Sequence, residues 1–333
     1  MSIVTHAALA FGERIAALTS GQLRIAPLPL LDRSADLALA RPGRISANGH
    51  CRLIRAANGW IAANLPREDD LASVPAWIGC DPGEEPWPAI ERLAAGLPSE
   101  ALVDQAILLG LAVARLGETR APSPDLPIHL QAPAPGRSIR RARVIDLSSL
   151  WAGPLCGGIL AMGGAQVTKI ESRTRPDPVR TATPLHDARL NGAKQRQSID
   201  FADPAALAAL RHEIANADIL VTSARPRALA ALGLEPEAML ATNPSLVWIA
   251  ITGHGWFGDE AARIGFGDDA AVAGALVARD ADGAPRFLGD AVADPLTGLA
   301  AAARCIDMLH QGEAGLVDAA LASTAAGVWA AHG

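Results

Sequence analysis

At 333 residues the chain is long enough for two domains or for one large domain with an appendage, and half of it is hydrophobic against 19% charged. Its formal net charge of −6 leaves no basic excess to neutralise phosphates, which argues against nucleic acid as a partner. No apolar run reaches the roughly 20 residues of a membrane span, so no membrane partner is expected.

The first stretch, "MSIVTHAALAFGERIAALTSG", carries Glu13 and Arg14 inside its apolar run. That pattern predicts an amphipathic helix and not an export signal. "GHCRLIRAANGWIAANLP" (49–66) alternates apolar and polar residues on both sides of Asn58-Gly59, the pattern of a hairpin. Helical patterns follow in "REDDLASVPAWIG" and "SEALVDQAILLGLAVARLG". Residues 1–120 are therefore expected to form a small α+β domain. The stretch "APSPDLPIHLQAPAPG" (121–136) is too rich in proline for regular helix and predicts an extended linker over 121–140.

From residue 141 strands and helices alternate, through "RVIDL", "AQVTKIE", "DPAALAALRHEIANA", "DILVTSA", "EPEAMLATN" and "LVWIAIT". This order predicts a Rossmann-like α/β domain over 141–333, with a parallel sheet and right-handed crossovers. Cys51, Cys80, Cys156 and Cys305 are far apart and form no CxxC pair. They read as reduced thiols of a cytoplasmic protein, with no metal site.

The segment 144–171, "VIDLSSLWAGPLCGGILAMGGAQVTKIE", is a strand, a turn, a helix and a second strand, half of a nucleotide-binding unit. Glu171, ending the second strand, fits the acid that meets a ribose in dinucleotide-binding folds. The glycines do not fit. The fingerprint needs G-x-G-x-x-G, whereas the turn is "SSLWAGPLCGG", and Pro154 directly after Gly153 removes an amide that could face a pyrophosphate. Past Glu171, Arg173, Arg175 and Arg180 favour a nucleotide with an additional phosphate. NADP and coenzyme A both have one.

Five stretches in order resemble the class III CoA-transferases, also called the CaiB/BaiF family. They are "RVIDLSSLWAGPLCGGILAMGGAQVTKIE", "LNGAKQRQSIDFADPAALAAL", "ADILVTSARPRALAALGLEPEAMLATNPSLVWIAITGHG", "GDAVADPLTGLAAA" and "GLVDAALAS". The resemblance runs from Arg143 to about Ala322 and implies acyl-CoA and a small carboxylic acid as substrates. It implies no permanently bound cofactor, since coenzyme A is itself a substrate. It implies that Ser149, Leu150, Trp151 and Ala152 meet CoA, that Arg173 or Arg180 meets a phosphate, and that Asn191 and Lys194 meet the nucleotide portion. The "RVIDL" strand opens the family's chain, so the order here resembles a circular permutation with the small domain in front. Family members form homodimers.

The family's reaction runs through an aspartyl intermediate, with glycine-loop amides as the natural partners of the oxyanion. Gly253 and Gly255 in "ITGHGWFG" supply such a loop. Matching "IGFGDDAAVAGALV" to the aromatic-Asp pair of the family puts Gly267 at the nucleophile position, with Asp268 and Asp269 just after it. Asp268 or Asp269 is then the expected nucleophile, unless the group has been lost. Two other readings stay open. One is a racemase acting on α-methylacyl-CoA with His254 and Asp268 as acid and base; the other is a CoA-binding subunit without catalysis.

Overall fold

Residues 2–120 and 125–333 are described in the computed structural model of the chain. Ser2 caps the first helix, α1 (Ile3–Leu18), by accepting the Thr5 amide on its hydroxyl. The expected hairpin follows as β1 (Cys51–Ala56) and β2 (Gly59–Asn64). Ala56 pairs with Gly59, so the turn is Ala57-Asn58, one residue earlier than Asn58-Gly59. Neither turn residue takes a positive φ; the Asn58 side chain is instead fixed by Glu100 and by the Ser99 amide.

Four helices come next, α2 (Glu68–Ala72), α3 (Val74–Ile78), α4 (Pro86–Ala94) and α5 (Ser99–Leu109). The helical pattern expected across "SEALVDQAILLGLAVARLG" stops at Gly110, which takes φ 68° and ends α5. The remainder becomes β3 (Ala112–Arg115), antiparallel to β2. Part of the proline-rich stretch is also a strand, β4 (Ile128–Pro133), while residues 121–124 lie outside those described.

The alternating half begins with β5 (Arg143–Leu147), α6 (Ala152–Met162) and β6 (Gln166–Ser172). It continues through α7 (Val179–Ala182), α8 (Pro184–Asn191), β7 (Gln195–Ile199), α9 (Pro204–Ala215) and β8 (Ile219–Thr222). Then come α10 (Pro226–Ala231), α11 (Pro236–Thr242), β9 (Val247–Thr252) and α12 (Gly267–Ala273). A short pair, β10 (Ala278–Arg279) with β11 (Pro285–Arg286), precedes α13 (Ala293–Gln311), β12 (Glu313–Ala320) and α14 (Leu321–His332). The large sheet has the order β4-β12-β9-β8-β5-β6-β7, and all its strands but β4 run parallel. β4 lies at an edge, where Pro133 interrupts no ladder.

Helices cover both faces of this sheet, as a parallel sheet requires. Val144, Val221 and Ile249 point to one core with α6 and α13, and Ile145, Leu220 and Trp248 point to the other with α9 and α11. Val4, Ala8 and Ile15 of α1 belong to the first of these cores. The sheet β1-β2-β3 has a core of its own around Ile54, Ile61, Trp77 and Ile90. Residues 1–120, expected as one unit, therefore serve two cores. No helix among the described residues is long and apolar enough to cross a membrane.

A buried ion pair fastens the first β-α-β unit. Lys194 Nζ donates to Asp146 at 2.7 Å, to the Pro154 carbonyl at 2.7 Å and to Asn191 Oδ1 at 2.8 Å. Both charged side chains are fully buried. A Cβ on Gly157 would lie 2.7 Å from Asp146 Oδ2 and 2.9 Å from Lys194 Nζ, so this glycine makes room for the pair and not for a phosphate. Lys194→Met strands the Asp146 carboxylate and is expected to cost about 3–5 kcal/mol in chemical denaturation. A loss under about 1 kcal/mol, the range of exposed pairs, would contradict this role.

Candidate active site

The turns after β5, β8 and β9 converge at the carboxyl ends of the parallel strands, where open α/β sheets bind ligands. They surround a cavity of about 330 Å³. Ser149, Leu150 and Ala152 line it from the first turn, and the Ser149 amide donates to Ser223 Oγ of the second turn at 2.9 Å. Leu150 takes φ 68°, a costly conformation for a branched residue, held by its amide against the Asp177 carboxylate. Gly253 and Gly255 line the cavity from the third turn, and Phe266 and Leu321 contribute apolar wall.

Several residues expected at the site do not line this cavity. Trp151 is buried, with Arg33 stacked over its ring at 4.5 Å and His186 against its edge. Asn191 and Lys194 are buried in the ion-pair network and do not reach the cavity, because a lysine facing a buried aspartate is held inside. Arg180 pairs with Glu171 at 3.3 Å, and Lys169 and Arg196 hold the same carboxylate. Arg173 and Arg175 stand exposed past β6, with no side-chain ion pair among the described residues.

Asp268 and Asp269 open α12 but do not line the cavity. Asp268 accepts from the Ala291 amide and from Asn48, both at 2.8 Å. Asp269 accepts from Asn64 at 2.9 Å and, as the far half of a capping box, from the Phe266 amide at 3.0 Å. Burial pushes their carboxyls up to about 6 and about 7. The two aspartates thus fasten α12 to the N-terminal loop and to β2. His254 is also buried away from the cavity, and desolvation beside Arg263 pushes it down to about 3. Neither His254 nor Asp268 lines this cavity.

The carboxylate that does face the cavity is Asp294, which the sequence reading passed over. It is the second residue of α13, where free amides favour an anion. A Cβ on Gly267 would overlap Asp294 Oδ2 and the Ala291 carbonyl. The glycine at the expected nucleophile position is therefore the space into which Asp294 turns. Burial is the main cause pushing the Asp294 carboxyl up to about 7; Arg33 opposes it, and Asp268, Asp269 and Asp290 add to it. The available signal was "ADPLTGLAAA", an acid just before a proline that opens a long apolar helix.

The profile of CoA-transferase family III matches residues 140–332. The chain is 31% identical over 186 residues to a succinyl-CoA–D-citramalate CoA-transferase of Chloroflexus aurantiacus, covering 53% of this chain and 46% of that protein. It is 31% identical over 200 residues to a succinate–glutarate CoA-transferase of Agrobacterium fabrum, covering 54% and 50%. A CaiB/BaiF family protein from Brucella suis shares the fold with a TM-score of 0.53 and 28% identity, over 60% of this chain and 56% of that one. The chain spans about half the length of these relatives. With the profile covering more than half of its residues, the chain belongs to CoA-transferase family III.

Proposed function

We propose that the protein transfers CoA between an acyl-CoA and a carboxylic acid, with Asp294 as the attacking group. The observation that carries this reading is that Asp294 is the only carboxylate among the described residues on the wall of the cavity. The family and its curated relatives, which are CoA-transferases by name, support the reaction class.

In this reading an Asp294 oxygen attacks the thioester carbonyl, the C–S bond breaks, and CoA thiolate leaves a mixed anhydride behind. The thiolate then attacks the aspartyl carbonyl and releases the first acid, giving an Asp294–CoA thioester. The second acid repeats the two steps in reverse. Carboxylate is a weak nucleophile, so placement and exclusion of water matter most. Phe266 and Leu321 on the wall support that exclusion, and Gly253 and Gly255, which also line the cavity, are the candidates whose amides would receive an oxyanion. Proton transfer at the α-carbon is less well supported. It needs a second acid–base group across the cavity, and among the described wall residues only Asp294 titrates near neutrality.

Asp294→Asn is expected to abolish transfer while leaving CoA affinity within about threefold, whereas Asp268→Asn retains transfer. In the unmodified protein the rate should rise as pH passes about 7, because only the ionised Asp294 attacks. Transfer by Asp294→Asn in a thioester-exchange assay would remove the assignment.

Arg173 and Arg175, exposed beside the β5 turn, fit the 3′-phosphate of CoA. Calorimetry should then give CoA about tenfold tighter binding than dephospho-CoA. Equal affinities would leave these arginines without that role.

A further inference from the structure

Arg33 does not line the cavity, yet its side chain holds the neighbours of residues that do. Its guanidinium lies over the Trp151 ring at 4.5 Å, and Trp151 stands between Leu150 and Ala152 of the cavity wall. Its Nε and Nη2 donate to the two oxygens of Asp290, each at 2.8 Å. Asp290 stands in the turn that leads into α13, four positions before Asp294.

That turn needs to be held. Ala291 takes φ 46°, a costly conformation for a residue with a Cβ. Its amide donates to Asp268 at 2.8 Å, and its carbonyl accepts from the Asp294 amide at 3.0 Å. Both that carbonyl and Asp294 Oδ2 lie against Gly267, with no room for a methyl group between. A guanidinium fork fixes the plane of a carboxylate as well as its distance, so the Arg33–Asp290 pair is suited to hold this turn.

The loop that carries Arg33 is docked by other groups. Arg189 donates to the Pro29 and Asp32 carbonyls at 2.6 and 2.7 Å. Asp36 accepts the amides of Leu185 and His186 at 3.0 and 2.7 Å. The Arg33 side chain is thus the link from an already anchored loop to the turn before Asp294.

We infer that Arg33 is a positioning residue for the attacking carboxylate: forked onto Asp290 and stacked on Trp151, it ties the turn that launches Asp294 to the turn after β5. The inference rests on the transferase reading proposed above. The charged groups acting on Asp294 are Arg33 from the N-terminal loop, Asp268 and Asp269 from α12, and Asp290 from its own turn. Arg67, Arg225 and Arg263 lie on other parts of the cavity wall. Arg33 favours the ionised carboxylate and the three aspartates oppose it, so loss of Arg33 moves the titration of Asp294 upward.

The test follows thioester exchange against pH in the full chain, with CoA affinity measured alongside. Arg33→Gln is expected to raise the midpoint of the rate profile by about one pH unit. On the plateau above both midpoints, where Asp294 is ionised in both proteins, kcat should still fall by about tenfold to a hundredfold. CoA affinity should stay within about threefold. Arg33→Lys keeps the charge without the planar fork, so its midpoint should stay near that of the unmodified protein while its plateau kcat stays low. A plateau kcat in Arg33→Gln within about twofold of the unmodified protein would overturn the inference, as would a parallel loss of CoA affinity. Should Arg33→Gln not fold, a full plateau rate in Arg33→Lys would overturn it equally. Transfer by Asp294→Asn has a different signature and would bring down the transferase reading itself.

Discussion

Arg33 is the cation around which the acidic centre is built. It forks onto Asp290 with two 2.8 Å hydrogen bonds, stacks over Trp151, and acts electrostatically on Asp268 and Asp294. Asn48 bridges the Asp268 and Asp290 carboxylates from the same N-terminal loop. Burial is the main cause that pushes Asp268, Asp269 and Asp294 up to between about 6 and about 7, and neighbouring aspartates add to it, while Arg33 opposes it at Asp268 and Asp294. The loop from α1 to β1 thereby does two things at once. It closes one side of the parallel-sheet core, and its Arg33 favours the ionised form of Asp294 against the burial that disfavours it.

The packing around that group is equally specific. Asp294 reaches the cavity because Gly267 has no side chain, and α12 keeps its register because Asp269 caps it and Asn64 of β2 holds Asp269. Val272 of α12 shares a small core with Leu53 and Ala62 of the hairpin. The three-stranded sheet is thus packed against α12, whose Gly267 makes room for Asp294 on the cavity wall, and Arg67 at the exit of β2 joins that wall.

The architecture of the large sheet was legible in the sequence because strands buried on both faces are continuous apolar runs separated by helical periods. The turns after such strands were the expected place for a ligand, and Ser149, Leu150, Ala152, Gly253 and Gly255 from those turns line one cavity. Local context hid other elements. "LGLAVARLG" continues the apolar pattern of α5, and only the left-handed Gly110 separates helix from β3. Side-chain direction was harder to read. Asp268 and Asp269 match the expected nucleophile beside a glycine, but asparagines distant in sequence hold them off the cavity wall. Lys194 looks like a surface cation, but a Gly157 that opens space beside Asp146 takes it into the core. Asp294 reaches the cavity beside Gly267, 27 positions earlier, a pairing that spacing does not reveal.

The identity of the attacking carboxylate can be read by mapping the covalent intermediate. The protein is incubated with acyl-CoA, quenched with hydroxylamine and digested, and the peptides are sequenced by mass spectrometry for an aspartyl hydroxamate. The modification is expected on Asp294. A hydroxamate on Asp268 or Asp269, or none in a preparation that transfers CoA, would contradict a mechanism centred on the carboxylate beside Gly267.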